Sequence, residues 1–562
     1  PAAGHRFENG ACQVCGYDAV AEYNGTKYAS LQAAINAASQ KNGGQTEVTL
    51  LGDLTITETI VFAKRYGGSV LLNLGSYTLT GEGCRALQIN KGNLYLENGT
   101  VTSTGIVNSS SVIRIGSNED AYSDVSPLLY MRNGAKVVAP DSYGVTIFGS
   151  KTVSEQLTVG GNASIVATGP SPAISGNGDK DYHVDGKGTK IIITGSAVVS
   201  AENNYAIYHP DNGTLNIQGG TVSGKGGIQM CSGTLKISGS PKIEALGKAD
   251  HETGAAGPIY DIAAISVVNR SYPGGAPVVT IKGTPTVIAN EGEVIHAYTW
   301  SNNAESEWAE AGNNINVSGG TYSKTFNEAY LAAECTLVPN EGSYTVEQKK
   351  VAEYNGTQYT SLSQAILDAN NSGAKAIVKL LENVTLTNSL GIGGTAAVTL
   401  DLNKKTLTLD GAQIYTQGSA TVTINNGTIK RTDEPASGSA NNFAIQVMNG
   451  STLLLGGTQV TNKVTLESKY GVYNYGGLLN VRYADITTDG WSIAVHDSPS
   501  KIGTVIIGSS GTPKITSQSG NCIGTAVNSK PNVTIQKGTL TSYGTDWNAG
   551  PIYWASEGTL TI

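Results

Sequence analysis

Chemistry needs titratable or metal-binding side chains in groups, and this sequence offers few. Asp179, Asp181 and Asp185 surround His183 in a Gly-rich stretch. Such a cluster could supply a catalytic carboxylate, or it could be a solvated loop or weak calcium site. Asp250, His251 and Glu252 form a second acidic group, with Asp546 in the comparable place later in the chain. A glycosidase needs only two carboxylates, about 5–9.5 Å apart, so either group could contribute one; an exposed loop is the alternative. The third candidate is a repeated pairing. YAIYHPD at 205–211 aligns with WSIAVHD at 491–497, placing His209 and Asp211 beside the equivalents His496 and Asp497. A His–Asp pair could hold a sugar or act as a base. The same residues also suit a turn in which Asp caps the backbone.

Two further sets could bind rather than react. Aromatic and amide residues recur after a short apolar strand: Tyr208, Gln229, His296, Gln446, Tyr473 and Tyr553, with Phe148, Tyr298, Tyr475 and Trp554 nearby. Stacked along a groove, rings offer apolar faces and amides offer hydrogen bonds, which suits an extended glycan. Ordinary β-propensity would also place Tyr there. His5, Cys12 and Cys15 form a His-x6-Cys-x2-Cys group that could be part of a zinc site, with Asp18 or an upstream residue as fourth ligand. A metal-free linker fragment is the alternative. No other cofactor is implied.

The elements that must position these residues are short and repeated. VAEYNGTKYASLQAAI at 20–35 recurs as VAEYNGTQYTSLSQAI at 351–366, and VTLLGDLTI at 48–56 as VKLLENVTL at 378–386. AGPIY at 256–260 returns at 549–553. Within each copy runs a shorter unit, clearest as TLNIQGGTVS at 214–223. It reads as an alternating strand, a Gly-rich turn and a second short strand. A third strand follows with Ala206-Ile207, Gly227-Ile228, Ala444-Ile445, Gly471-Val472 or Ser492-Ile493. Three short strands per coil describe an elongated, triangular parallel β-helix. Inward Ile, Val and Leu then stack on the next coil about 4.8 Å away. Leu31, Ala34, Ile35 and Ala38 share one helical face behind Ser30, as do Leu362, Ala365, Ile366 and Ala369. Both runs are expected to be helices that cap an open stack.

Composition agrees. Charged residues make up 14% of the 562, against roughly 25% in a typical globular protein, and Gly (71) and Tyr (27) are abundant where Phe (5) is scarce. The formal charge is −8, with no basic stripe to hold nucleic acid. No apolar run approaches the ~18 residues of a membrane span. Six cysteines in a chain this long are no disulfide scaffold.

The opening AEYNGTKYASLQAAINAA (21–38) and the ending GGTYS (319–323) with YLAAECTLVPNEGSYTV (330–346) resemble tandem pectate-lyase-like right-handed β-helix modules of large clostridial surface proteins of the Gram-positive gut flora. The resemblance implies a secreted, cell-surface or cell-wall location. It does not imply a reaction, because these are scaffold motifs. The motifs of polygalacturonases (Asn-Thr-Asp, Asp-Asp, Gly-His-Gly, Arg-Ile-Lys) and of pectate lyases (Trp-Ile-Asp-His, Arg-x-Pro-x-x-Arg) are absent.

The expectation is therefore an all-β, right-handed parallel β-helix of pectin-lyase-like type in two tandem units. Residues 1–19 form a linker or metal knuckle, 20–347 the first unit, and 348–562 a second unit truncated at its C-terminus. The leading function is a non-catalytic, adhesin-like or glycan-binding surface rod with host or dietary glycans as partners. The alternatives are a secreted glycoside hydrolase or polysaccharide lyase working through acids on one face, and a structural spacer. The closing strand at 559–562 matches the mid-helix strand at 278–281, so the natural protein is expected to continue past Ile562.

Overall fold

The structure, a computed structural model, describes residues 7–8, 11–13, 18–64, 67–106, 110–116, 124–150, 152–176, 187–247, 252–254, 257–259, 262–270, 272, 274–301, 304–394, 397–433, 439–546 and 549–562. It divides into two compact units, Pro1–Gln348 and Lys349–Ile562. Both are stacks of short parallel strands.

The second unit shows the arrangement most plainly. Among the described residues its strands sort into three sheets, of ten, seven and seven strands, and successive strands along the chain fall in the three sheets in turn. Leu478–Val481, Ala484–Thr488 and Ile493–His496 make one coil, and each pairs in parallel with its counterpart in the coils before and after. Alternation decides what is buried. In Leu478–Val481, Leu479 and Val481 point inward and are inaccessible, while Leu478 and Asn480 are half-buried. The third sheet carries an inward ladder of Leu390, Ile414, Ile445, Val472, Ile493, Ile523 and Ile552, all in register. Each such side chain contributes about 1.5–3 kcal/mol by leaving water, and only because a neighbouring coil covers it. One buried amide breaks the apolar run. Asn474, with no exposed surface, donates Nδ2 to Thr504 O (2.9 Å) and accepts from Gly477 N (3.0 Å), so it is paired at both ends.

In the first unit the three sheets run together as one 31-stranded sheet among the described residues, because long strands turn the corners. Leu87–Glu97, Val198–His209 and Thr221–Met230 each serve two sides of the coil. Ile174, Ile207, Ile228, Ile265 and Ile295 stack in register, and Ile193, Ile217 and Ile237 do the same on another side.

Each unit opens identically. A hairpin turns at Asn24-Gly25 or Asn355-Gly356, both residues at positive φ (50° and 74° in each copy), which matches the twist of the flanking strands. A helix follows: α1 (Leu31–Ser39) in the first unit, α2 (Leu362–Asn371) in the second. Ser30 and Ser361 cap them by accepting from Ala33 N and Gln364 N at 3.3 Å. Leu31, Ala34, Ile35 and Ala38, and the matching Leu362, Ala365, Ile366 and Ala369, are the buried faces. At the C-terminus of α1 the buried Lys64 ammonium donates to Ser39 O (3.2 Å) and Lys41 O (2.5 Å), placing a cation where the helix ends in unpaired carbonyls. The first unit closes with an antiparallel hairpin, Cys335–Asn340 and Ser343–Gln348, whose second strand pairs with Thr321–Tyr322 and so covers the edge of that last coil. No helix among the described residues is long and apolar enough to cross a membrane.

Candidate binding face

The third sheet presents an outward row as regular as the inward one. In the first unit that row contains Tyr208, Gln229, Ser266 and His296, in register on successive strands. Much of this row is closed to solvent: Tyr208 is 7% exposed, Gln229 3% and Ser266 0%. Tyr208 belongs to a small apolar cluster with Cys231, Val268, Tyr298 and Trp300, and Tyr272 packs against it. Its hydroxyl meets that of Tyr272 at 3.1 Å, and burial pushes the phenol's pKa well up. Tyr298, at 1% exposure, is equally closed off. His296 is half-buried, 4.8 Å from the Tyr298 ring, with Nε2 3.1 Å from a Glu305 carboxylate oxygen.

The two His–Asp pairs differ in their surroundings. His209 is 1% and Asp211 0% exposed, so both are closed to solvent. His209 Nδ1 donates to Ser232 O at 3.2 Å, and burial pulls the imidazole down to about 4, leaving it neutral. Asp211 packs against Gly176, where a β-carbon would come within 2.1 Å of Oδ2. In the second unit Asp497 accepts from Gly503 N at 2.8 Å and from Lys530 N, tying its turn to the next coil. That is the backbone-capping role. Asp179, Asp181, Asp250, His5 and Cys15 lie outside the described residues. So do the side chains of Glu252 and Cys12, although both belong to short described strands.

The second unit's third sheet is different. Its outward row reads Gly391, Tyr415, Gln446, Tyr473, Ala494, Gly524 and Tyr553. Gln446 is 7% exposed, and its amide donates to Ala440 O at 2.6 Å, so it serves the adjoining loop. Tyr473 is half-buried and sits at the centre of a ring cluster. Tyr475 stacks beside it (6.3 Å, 18° between planes), and the His496 imidazole of the next coil lies 4.8 Å away. Three residues upstream in each coil runs a second aromatic file, Phe443, Tyr470 and Trp491, held in line by backbone bonds from Ala444 N to Tyr470 O and from Gly471 N to Trp491 O. Phe443 is fully buried and supports both files, 5.5 Å from Tyr470 and 5.5 Å from Tyr473. Tyr470 and Trp491 keep one face half-open because each lies on a glycine. A β-carbon at Gly490 would stand 2.5 Å from the Tyr470 ring, and one at Gly520 2.8 Å from the Trp491 indole.

Five half-open rings, Tyr470, Tyr473, Tyr475, Trp491 and His496, thus share one face over two adjacent coils. Polar groups border them: a shallow concavity takes in Asp433, Glu467, Lys469 and Asp489, the last two adjacent in sequence to Tyr470 and Gly490. Burial lowers the His496 pKa, with Asp497 opposing, and raises that of Tyr473. Tyr553 is half-buried in the outward row, whereas the half-buried Trp554 packs on the core cluster. Sequence reading named Tyr473 and Tyr475 but passed over Tyr470 and Trp491. The available signal was the aligned aromatic two residues before each third-strand Ile or Val: Phe443-Ala-Ile, Tyr470-Gly-Val, Trp491-Ser-Ile.

No family model matches the chain, and no curated protein matches it.

Proposed function

We propose that the chain is an extracellular, cell-surface module of right-handed parallel β-helix type that binds glycans without catalysing a reaction, through the aromatic face of its second unit. The observation that carries this reading is the set of five rings on one face of adjacent coils. Pyranose rings expose flat C–H faces that pack on indole and phenol rings, while bordering carboxylates and ammonium groups hydrogen-bond the hydroxyl edges. A row of side chains repeating about every 4.8 Å suits a polymer with a short repeat. Handedness is supported by the near-universal right-handed crossover between parallel strands. The surface location is supported by the resemblance of the opening and closing segments to clostridial surface modules. A non-catalytic role is supported by the burial of His209 and Asp211 and by the turn that Asp497 ties.

The test is a glycan array with the whole chain, followed by titration of the best oligosaccharide under tryptophan fluorescence. Binding to one glycan class, with emission change lost in Trp491→Phe, supports the reading. No binding across host and plant glycans overturns it.

A further inference from the structure

The first unit holds a cation, Arg85, with no carboxylate partner among the described residues. Lys91 is paired with Asp124, and Arg132 with Glu97. Arg85 is not paired in this way. It sits in the turn before the third strand, half-buried, and its guanidinium is held by two neutral oxygens: Nε donates to Ser111 Oγ at 3.3 Å and Nη1 to Gln88 Oε1 at 3.1 Å. Gln88 pairs in register with Arg114 of the next coil, so a second guanidinium shares the same outward face. Arg114 is half-buried and lies 3.9 Å above the Phe148 ring.

We propose that Arg85, with Gln88 and Arg114, forms an oxyanion site that takes a sulfate or carboxylate group, such as those of sulfated or uronic acid sugars.

Two observations point the same way. Ser111 and Gln88 fix the fork of Arg85 through Nε and one terminal nitrogen, and Nη2 has no partner among the described residues. A planar fork fixed in this way fits a tetrahedral or planar oxyanion better than a lysine would. Burial, followed by the nearby Arg114 charge, pulls Arg85 down to about 10, which is the cost an anion would remove. Gln88 is itself held by donating Nε2 to Asn90 Oδ1 at 2.8 Å, so the acceptor that orients Arg85 is fixed. This site is in the other unit from the ring face and stands whether or not that face binds glycans.

The experiment is thermal unfolding of the whole chain in sodium sulfate, sodium glucuronate and sodium chloride at equal ionic strength. Sulfate or glucuronate should raise the first unit's Tm above its value in chloride, with saturation, and their ranking tells sulfate from carboxylate. Arg85→Gln should weaken the apparent affinity roughly tenfold or more, the usual worth of one charge-assisted fork. If Arg85→Gln fails to fold, phenylglyoxal modification of the unaltered chain replaces it: sulfate should slow reaction at Arg85. Equal Tm in all three salts, an unchanged response in Arg85→Gln, or unprotected Arg85 each overturns the proposal.

Discussion

Trp491 rests on Gly520: a β-carbon at Gly520 would stand 2.8 Å from the indole Cδ1 and 2.7 Å from the backbone of Gly490, whereas one at Gly524 would stand 3.6 Å from Cε3. The two glycines are therefore expected to differ. Gly520→Ala should displace the indole and cost about 1–3 kcal/mol, as overpacked sites do. Gly524→Ala makes only ordinary contact and should change stability by less than about 1 kcal/mol. Chemical denaturation of the two variants checks this, and equal effects would contradict the placement of Trp491.

The inward ladder gives a stability prediction. Ile207 has no exposed surface and stacks between Ile174 and Ile228. Ile207→Asp buries a charge with no partner and should cost several kcal/mol. A measured change below about 0.5 kcal/mol would show that the register is wrong.

Glu155 predicts a loss of stability with rising pH. It is 2% exposed, its Oε2 has no partner among the described residues, and burial pushes the carboxyl up to about 7 from its ordinary 4.5. The folded state thus holds the proton more tightly than the unfolded one. Its stabilisation is complete below about 4.5 and is lost as pH rises through about 7. Glu155→Gln should match the parent chain near pH 4 and exceed it by about 2–3 kcal/mol near pH 8. Melting curves across that range test it; a constant difference between the two proteins would refute the assignment.

His209 predicts the opposite slope. Burial depresses it to about 4 from 6.5, so its contribution is present above about 6.5 and lost as pH falls through about 4. His209→Asn, which can still donate to Ser232 O, should be less acid-sensitive than the parent between those values. The windows of Glu155 and His209 overlap, so each substitution should expose the slope of the other. A pH profile for His209→Asn parallel to the parent's would remove His209 from this role.

The repeat made most of the fold legible from sequence. Alternation identified Ile207 and Ile217 as inward, and the Ser30 and Ser361 caps with their spaced Leu, Ala and Ile residues marked both helices, because these features are local. What faces outward was legible only as a position. Tyr208 and Tyr473 occupy the same kind of site, yet the first is sealed by Tyr272, Tyr298 and Trp300 while the second stays half-open. That difference depends on what folds over the sheet, which period-two alternation does not encode. Likewise a His followed by an Asp reads the same whether both are buried, as at His209 and Asp211, or whether the Asp ties a turn, as at Asp497. Tyr470 and Trp491 were hidden because their exposure depends on glycines one coil away, at Gly490 and Gly520.

The ring face is the centre of the functional account, and affinity measured by calorimetry for the glycan found on the array tests it most directly. Trp491→Ala and Tyr473→Ala should each weaken binding about tenfold or more, consistent with loss of a stacked aromatic, while Tyr298→Phe in the first unit should leave it unchanged. Parent-like affinity in both Trp491→Ala and Tyr473→Ala would contradict the account.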